Sequence, residues 1–357
     1  MNDKQNQHFV PQYYFRNFSN DEKSIRMLLK KTGKIIENTA IDNQASDDNF
    51  YGSIETEKDV TVFDTKYYEL LSQTVLDVNN NTLKNDIFKK IKEAILFQEL
   101  RTLKEREDKE PLMNFYDEFF QPQLEGINNY DSGISPDITD IIQNTFKKVL
   151  KSMSDPKSQQ IFSMFNIESK LTEIEDLKAI FLKNISGIPF IFGDTPVTRF
   201  NPALENTPFD KHGNKHHGLA IHYPINSELS FLIFDNNSYN FPSDENVFEI
   251  SNKNDINQLN KLQIHNSINS IYFKEFEYAQ YVKGLWDQEK NNFVNDLTRV
   301  ECLPEITLDG HLTGRSVNTL IKPEPTFIPK LSFLEIIEIS NSIHLPYRSR
   351  FVQHMVI

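Results

Sequence analysis

Residues 219–235 read LAIHYPINSELSFLIFD, and this stretch decides most about the fold. Two apolar runs, 219–223 and 229–234, are separated by Pro224 to Glu228, a breaker followed by polar residues. Short apolar runs bounded by Gly, Pro, Asn and Asp are the mark of buried strands, and so close a pair is expected to form a hairpin. Upstream, Pro189 to Phe192 has the same texture. Downstream, Ile256, Leu259, Leu262, Ile264 and Ile268 recur at helical spacing over 255–271 and lead into a strand-like 270–276.

Toward the N-terminus the pattern turns helical. Residues 60–78 and 83–107 carry apolar periodicity on either side of Asn79-Asn80-Asn81, as in a helical hairpin, and further helices are expected at 112–120, 137–153 and 168–183. Short strands at 26–29 and 35–37 flank Thr32-Gly33 as an N-terminal hairpin. The tail carries Pro323, Pro325 and Pro329, an expected helix near 332–342 and an apolar end. This pattern predicts an α+β fold, predominantly helical, with a small and largely antiparallel sheet. The expected organisation is one domain over 1–280, comprising the N-terminal hairpin, a helical region 58–185 and a sheet region 186–280. A C-terminal extension, 281–357, would pack on it.

Composition narrows the function classes. The 357 residues include 38 Lys and Arg against 51 Asp and Glu, a formal charge of −13 that opposes indiscriminate nucleic-acid binding. Residues 1–34 run the other way, with seven basic residues against three acidic ones, and would meet an anionic ligand first. Mean hydropathy is −0.52 and no apolar run approaches the length of a membrane span, so no membrane partner is expected. The opening MNDKQNQHFV predicts no secretion signal, and the lone Cys302 leaves no internal disulfide, so a cytoplasmic location is expected. None of the 11 glycines falls in a phosphate-cradling or nucleophile-elbow motif.

Several polar residues sit where apolar ones are expected. The stripe Ile87, Ile91, Ala94, Ile95 of IFKKIKEAILFQELRTLKERE (87–107) is carried by helical spacing onto Gln98, Arg101, Thr102 and Glu105. A buried Arg101 needs compensation, from Glu105 one turn on, from a distant carboxylate or from an anionic ligand. Asp194 ends the apolar run of FIFGDTPVTRF (190–200), where it suits a ligand-binding turn or a purely structural Asx turn. His8 precedes a Pro-fixed aromatic segment, QHFVPQYYFRNFS (7–19), dense enough to pack into the core. Gln12, Arg16 and Asn17 lie close by. Imidazole suits proton transfer near neutrality, although a satisfied core histidine is as common. His212, His216, His217 and His222 invite a metal reading, but Gly213-Asn214 breaks the helix that would align 212 and 216.

These residues resemble a known pattern. The opening QHFVPQYYFRNFS is similar to the H-[YF]-[VI]-P-x-x-[YF]-L-x-x-F signature of the bacterial and archaeal family catalogued as domain of unknown function 4238. The resemblance continues through Phe50-Tyr51, Ile54-Glu55, LFQELRTLKERE, FIFGDTPV, the 219–235 strand pair and INQLNKLQIHNSINSIYF, over roughly residues 7–275. It implies that His8, Pro11, Gln12, Arg101, Thr102, Arg106, Asp194, Pro196 and Asn260 stand at motif positions. The chain departs from the pattern at Phe15, where Leu is usual. It departs again at Gly193-Asp194-Thr195, usually Ser/Thr-Asp-Asn, and at Asn226, usually Ser. No activity comes with the family. Its members often occur as isolated accessory genes, which by analogy suggests a toxin-like or phage-defence role.

A polar set drawn from separated segments points to a hydrolase, foremost a phosphodiesterase or nuclease acting on nucleic acid. His8 would be general acid or base, Arg101 would neutralise phosphate, and Asp194 would orient His8 or hold a divalent metal ion. Gln12, Thr102, Glu105, Arg106 and Asn260 would bind substrate. Two other classes fit the same residues: a binding or scaffold protein with a buried His-Arg-Asp network, and an enzyme for a nucleotide or other small ligand. Either way a protein regulator is a conceivable partner.

Overall fold

In the computed structural model the described residues are 6–128, 154–205, 212–293, 298–307, 311–321, 327–337 and 346–352, with scattered positions between 141 and 152. The hairpin forms as expected. Strands Ala220–Pro224 and Leu229–Phe234 pair antiparallel with Tyr223 opposite Phe231. Asn226 closes the turn, its Oδ1 accepting the Glu228 and Leu229 N–H groups, each at 2.8 Å. A serine hydroxyl can make the same kind of turn bond, so Asn at this position is a mild exchange.

The hairpin is the centre of a five-stranded sheet, ordered Val247–Ile250, Lys178–Asn184, Leu229–Phe234, Ala220–Pro224 and Thr198–Phe200. The first pair is parallel and the others are antiparallel. Both central strands are buried at every residue because helices cover the two faces. Ile256, Leu259 and Leu262 of helix Lys253–Asn266 pack with Ile180, Leu182, Leu232 and Phe234 on one face. Phe88 of helix Ile87–Leu100 meets Phe181 and Phe231 on the other.

A second, four-stranded antiparallel sheet holds Lys34–Ala40, Ser24–Leu29, Ser270–Phe273 and Phe192–Gly193, so the N-terminal hairpin is completed by strands remote from it in sequence. The segment 7–19 is in the core, as its aromatics predict: Tyr14 stacks on Tyr223 at 5.1 Å, and Phe15 and Phe18 both pack on Phe192.

The architecture is therefore mixed α/β, not a helical fold with a small antiparallel sheet. Much of the difference comes from residues 168–183. The helix there stops at Glu173, and KAIFLKN (178–184) becomes an interior strand, because a short continuous apolar run looks the same whether it is a buried strand or a buried helix. The helix expected near 332–342 is replaced by the short strand Glu335–Ile336 paired with Tyr239–Asn240, while 338–345 lie outside the described residues. The helix expected at 137–153 also falls largely outside them.

The chain divides into two compact units. One comprises Met1–Thr102, Asn166–Phe293 and Pro325–Ile357, and contains both multi-stranded sheets. The other comprises Leu103–Phe165 and Val294–Glu324. It contains helices Leu103–Asn128 and Pro156–Phe165 and the ribbon Arg299–Ile306/Leu312–Ile321. The long helix read across 83–107 is accordingly two: it breaks at Arg101-Thr102, where the chain passes from the first unit to the second.

One core residue is costly. His222 is fully buried against Phe190, and neither ring nitrogen has a partner among the described residues. Burial drives its pKa down to about 3. A histidine depressed in this way contributes full stability above its unfolded value near 6.5 and loses it as pH falls toward the folded value. The fold is expected to lose about 2 kcal/mol from this residue between pH 7 and pH 5. His222→Leu should raise the melting temperature and flatten the acid limb in denaturant titrations at the two pH values; an unchanged acid dependence would contradict this account of His222.

Candidate active site at the N-terminal cleft

Helix Ile54–Asn80 presents Glu57, Thr61, Asp64, Thr65 and Tyr68 along one face at helical spacing. Opposite this face runs the segment 8–16, and the two enclose an open cleft of about 370 Å³ lined also by His8, Gln12, Tyr13, Arg16 and Arg101.

Arg101 is the fixed point. Its side chain is 2% exposed, at the C-terminal end of helix Ile87–Leu100. The guanidinium makes a bidentate pair with the Asp64 carboxylate, donates from Nε to the Tyr51 hydroxyl at 2.9 Å, and donates from Nη2 to the His8 carbonyl at 2.7 Å. Burial works against the charge, but Asp64 and Tyr51 outweigh it and hold the group cationic. Compensation thus comes from a distant carboxylate. Glu105 belongs to the other unit and pairs with Lys109 at 3.2 Å.

The same bonds immobilise the backbone around His8. The Tyr51 hydroxyl donates to the His8 carbonyl at 3.0 Å, the Gln7 side chain accepts the Tyr51 N–H at 2.6 Å, and Gln98 donates to the Phe9 carbonyl at 3.1 Å. The imidazole Nε2 lies 3.1 Å from the Asp42 carbonyl. A carbonyl only accepts, so Nε2 carries the proton and Nδ1 keeps the lone pair. Gln12 Nε2, 3.5 Å from His8 Nε2, is then a neighbour and not a donor to it. Burial pushes the His8 pKa below its ordinary value; the Asp42 carbonyl opposes that shift and the Arg101 charge adds to it.

Across the cleft, Glu57 is half-buried and its Oε2 is shielded with no hydrogen-bond partner among the described residues. Burial raises its pKa, with Arg101 pulling the other way and Asp64 reinforcing the rise. Burial thus works against the charged form of each group, the imidazolium of His8 and the carboxylate of Glu57.

The other polar residues that stand out in the sequence lie outside the cleft. Asp194 does not line the cleft. It is 4% exposed, and its carboxylate accepts the Ile268 and Asn269 N–H groups at 2.8 and 2.7 Å, locking the end of strand Phe192–Gly193 to the turn after helix Lys253–Asn266. This is structural capping across 74 residues of sequence, neither an Asx turn nor a partner of His8. Asn260 accepts the Ile191 N–H and donates to the Pro189 carbonyl and the Tyr281 hydroxyl. The Thr102 hydroxyl donates to the Glu99 carbonyl, and Arg106, in the second unit, is held by Gln160 at 2.6 and 2.9 Å. Arg101 and His8 do come together. The residues that sequence reasoning missed are Glu57 and Asp64, whose signal was the i, i+4, i+7, i+8, i+11 run of polar and aromatic positions on an otherwise ordinary surface helix. Among the described residues no group of three His, Cys, Asp or Glu is placed to hold a metal ion, the 212–217 histidines included.

The geometry defines a mixed α/β unit with an open cleft between its N-terminal segment and a long helix, lined by the His8 imidazole and the half-buried Glu57 carboxyl. The chain belongs to the family described as protein of unknown function, DUF4238, whose model matches residues 6–276. No curated protein and no solved structure matches it. No helix among the described residues is long and apolar enough to cross a membrane.

Arg101→Met and Asp64→Asn are each expected to destabilise the protein by about 2–4 kcal/mol, because each strands its partner in or near the core. The double variant should lose clearly less than the two losses combined, by about 1–3 kcal/mol in a double-mutant cycle followed by urea unfolding. Simple additivity would show that the pair is not coupled.

Proposed function

We propose that the cleft is an acid–base active site for hydrolysis of a phosphoester, with a phosphodiester as the leading substrate. The observation that carries this reading is the shielded Glu57 Oε2, without a hydrogen-bond partner among the described residues, on a side chain lining the same cleft as the His8 imidazole. A carboxyl held in that state without a substrate costs stability, and sites that tolerate such a cost are commonly functional.

In the proposed reaction His8 Nδ1 takes a proton from water as its oxygen attacks phosphorus. The bond from phosphorus to the leaving oxygen breaks, and the Glu57 carboxylic acid supplies the proton that the departing alcohol needs. Transfer from the imidazolium to the Glu57 carboxylate, directly or through solvent, restores both groups. Arg16, exposed at the mouth, would offset phosphate charge. Arg101 acts at one remove: its guanidinium is taken up by Asp64, Tyr51 and the His8 carbonyl, so it positions the base and does not grip substrate.

A second reading has its own support. That same internal pairing of Arg101 is what a purely structural network looks like, with the cleft serving as a binding surface. The two differ on His8→Ala, which keeps the carbonyl that the clamp uses and removes only the ring.

The purified protein is expected to cleave bis(p-nitrophenyl) phosphate or a labelled oligonucleotide, assayed with and without Mg²⁺ or Mn²⁺. His8→Ala and Glu57→Gln should each lower kcat/KM by about 100-fold or more while melting within a few degrees of the parent. The pH profile should be bell-shaped with an acidic optimum. Its acid limb marks protonation of His8, below the ordinary histidine value, and its alkaline limb marks ionisation of Glu57, above the ordinary glutamate value. Glu57→Gln should remove the alkaline limb. Absence of any turnover, or variants as active as the parent, would favour the binding reading.

A further inference from the structure

The cleft carries two features that acid–base chemistry does not require. Tyr68 stands 48% exposed on helix Ile54–Asn80, an unusual amount of bare aromatic surface for a cleft wall. Its ring packs against Tyr13, with centroids 5.7 Å apart and planes tilted by 54°, and about half of the residue stays open to solvent. Beside it, Arg16 is exposed, donates to Gln12 Oε1 at 2.9 Å and has no carboxylate partner among the described residues. The Arg101 charge is matched by Asp64, whereas Arg16 has no such carboxylate partner among the described residues.

From this combination we infer that the substrate is an unpaired nucleotide unit of a single strand, its base stacked on Tyr68 and its phosphate on Arg16. This rests on the acid–base reading of the same cleft and deepens it. An aromatic face accepts any base because every base has a π-face, and a single guanidinium matches the single charge of one internucleotide phosphate. A volume of about 370 Å³ lies at the small end of ligand pockets and accommodates a splayed-out unit. A duplex would keep its bases stacked away from Tyr68 and would meet a chain of formal charge −13 with, among the described lining residues, one arginine not already paired to a carboxylate. A sugar phosphate would leave the Tyr68 face unused.

The test is binding by the full-length Glu57→Gln protein, which keeps the ligand intact. A labelled single-stranded 12-mer, the matching duplex, and a 12-mer of the same backbone with abasic sites are titrated by fluorescence anisotropy at several salt concentrations. The single strand is expected to bind at least tenfold more tightly than either the duplex or the abasic strand. Adding Tyr68→Ala should weaken the base-bearing strand about tenfold and leave the abasic strand unaffected. Adding Arg16→Gln should weaken both strands and reduce the salt slope by about 0.7, the signature of one lost phosphate contact. Both residues are surface-exposed, and circular dichroism confirms that each variant is folded. No binding, equal binding of single strand and duplex, or an unaffected Tyr68→Ala variant would overturn the inference. Because no turnover is measured, these outcomes leave hydrolysis to be judged separately: a protein that cleaves a small phosphodiester through His8 and Glu57 while failing here keeps the chemistry and loses the nucleotide.

Discussion

A positive charge sealed inside the protein organises everything around the cleft. The Arg101 guanidinium can be buried only because Asp64, Tyr51 and the His8 carbonyl meet it from three separate parts of the chain. Satisfying one side chain therefore fixes helix Ile54–Asn80, the Phe50-Tyr51 turn and the N-terminal strand Asn6–His8 relative to helix Ile87–Leu100. The cleft is the space left beside this junction. The segment 7–19 lies along this junction. Here it is held by its aromatics in the core and by its backbone on the arginine, and so a base on it can be presented in a defined orientation.

A comparable device operates elsewhere in the same unit. Helix Lys253–Asn266 lies along residues 189–197, a stretch with only a two-residue strand of its own. Its side chains stand in for a missing sheet neighbour. Asn260 bonds the backbone at 189 and 191, Gln263 accepts the Gly193 N–H and donates to the Pro196 carbonyl, and Asn266 donates to the Thr195 and Val197 carbonyls. Spaced three residues apart, the three amides reach one helix face and zip up a backbone that would otherwise be buried with unpaired groups. Gly193 is suited to this contact, since a Cβ there would fall 1.9 Å from the Ser267 hydroxyl. The Asp194 carboxylate closes the same seam.

Much of this was legible in the sequence, and the lapses share a cause. The 219–235 hairpin, the helix and strand after 253, the N-terminal hairpin and the burial of the opening aromatics follow from local periodicity, which short-range physics sets. The strand at 178–184 was misread because its apolar run is covered on both faces, a tertiary circumstance that leaves no alternation in the chain. Arg101 stood out correctly as a charge on an inward face, but its partner could not be chosen among carboxylates without the fold. Asp194 stands out for the same reason as Arg101, a polar group beside an apolar run, and Asn260 enters only through the family resemblance; both turn out to satisfy backbone. Glu57 did not stand out at all: a glutamate in the first turn of a surface helix is ordinary in sequence, and only the partial burial of its carboxyl makes it notable.

The account depends on His8 being a neutral base whose free nitrogen is Nδ1, set by the Asp42 carbonyl and the arginine clamp. Nitrogen-15 and carbon-13 NMR of the imidazole, followed through a pH titration and assigned by comparison with His8→Gln, reads both properties at once. The predicted result is an Nε2-protonated tautomer that titrates below 6.5. An Nδ1-protonated ring, or one that becomes cationic already above 6.5, would contradict it.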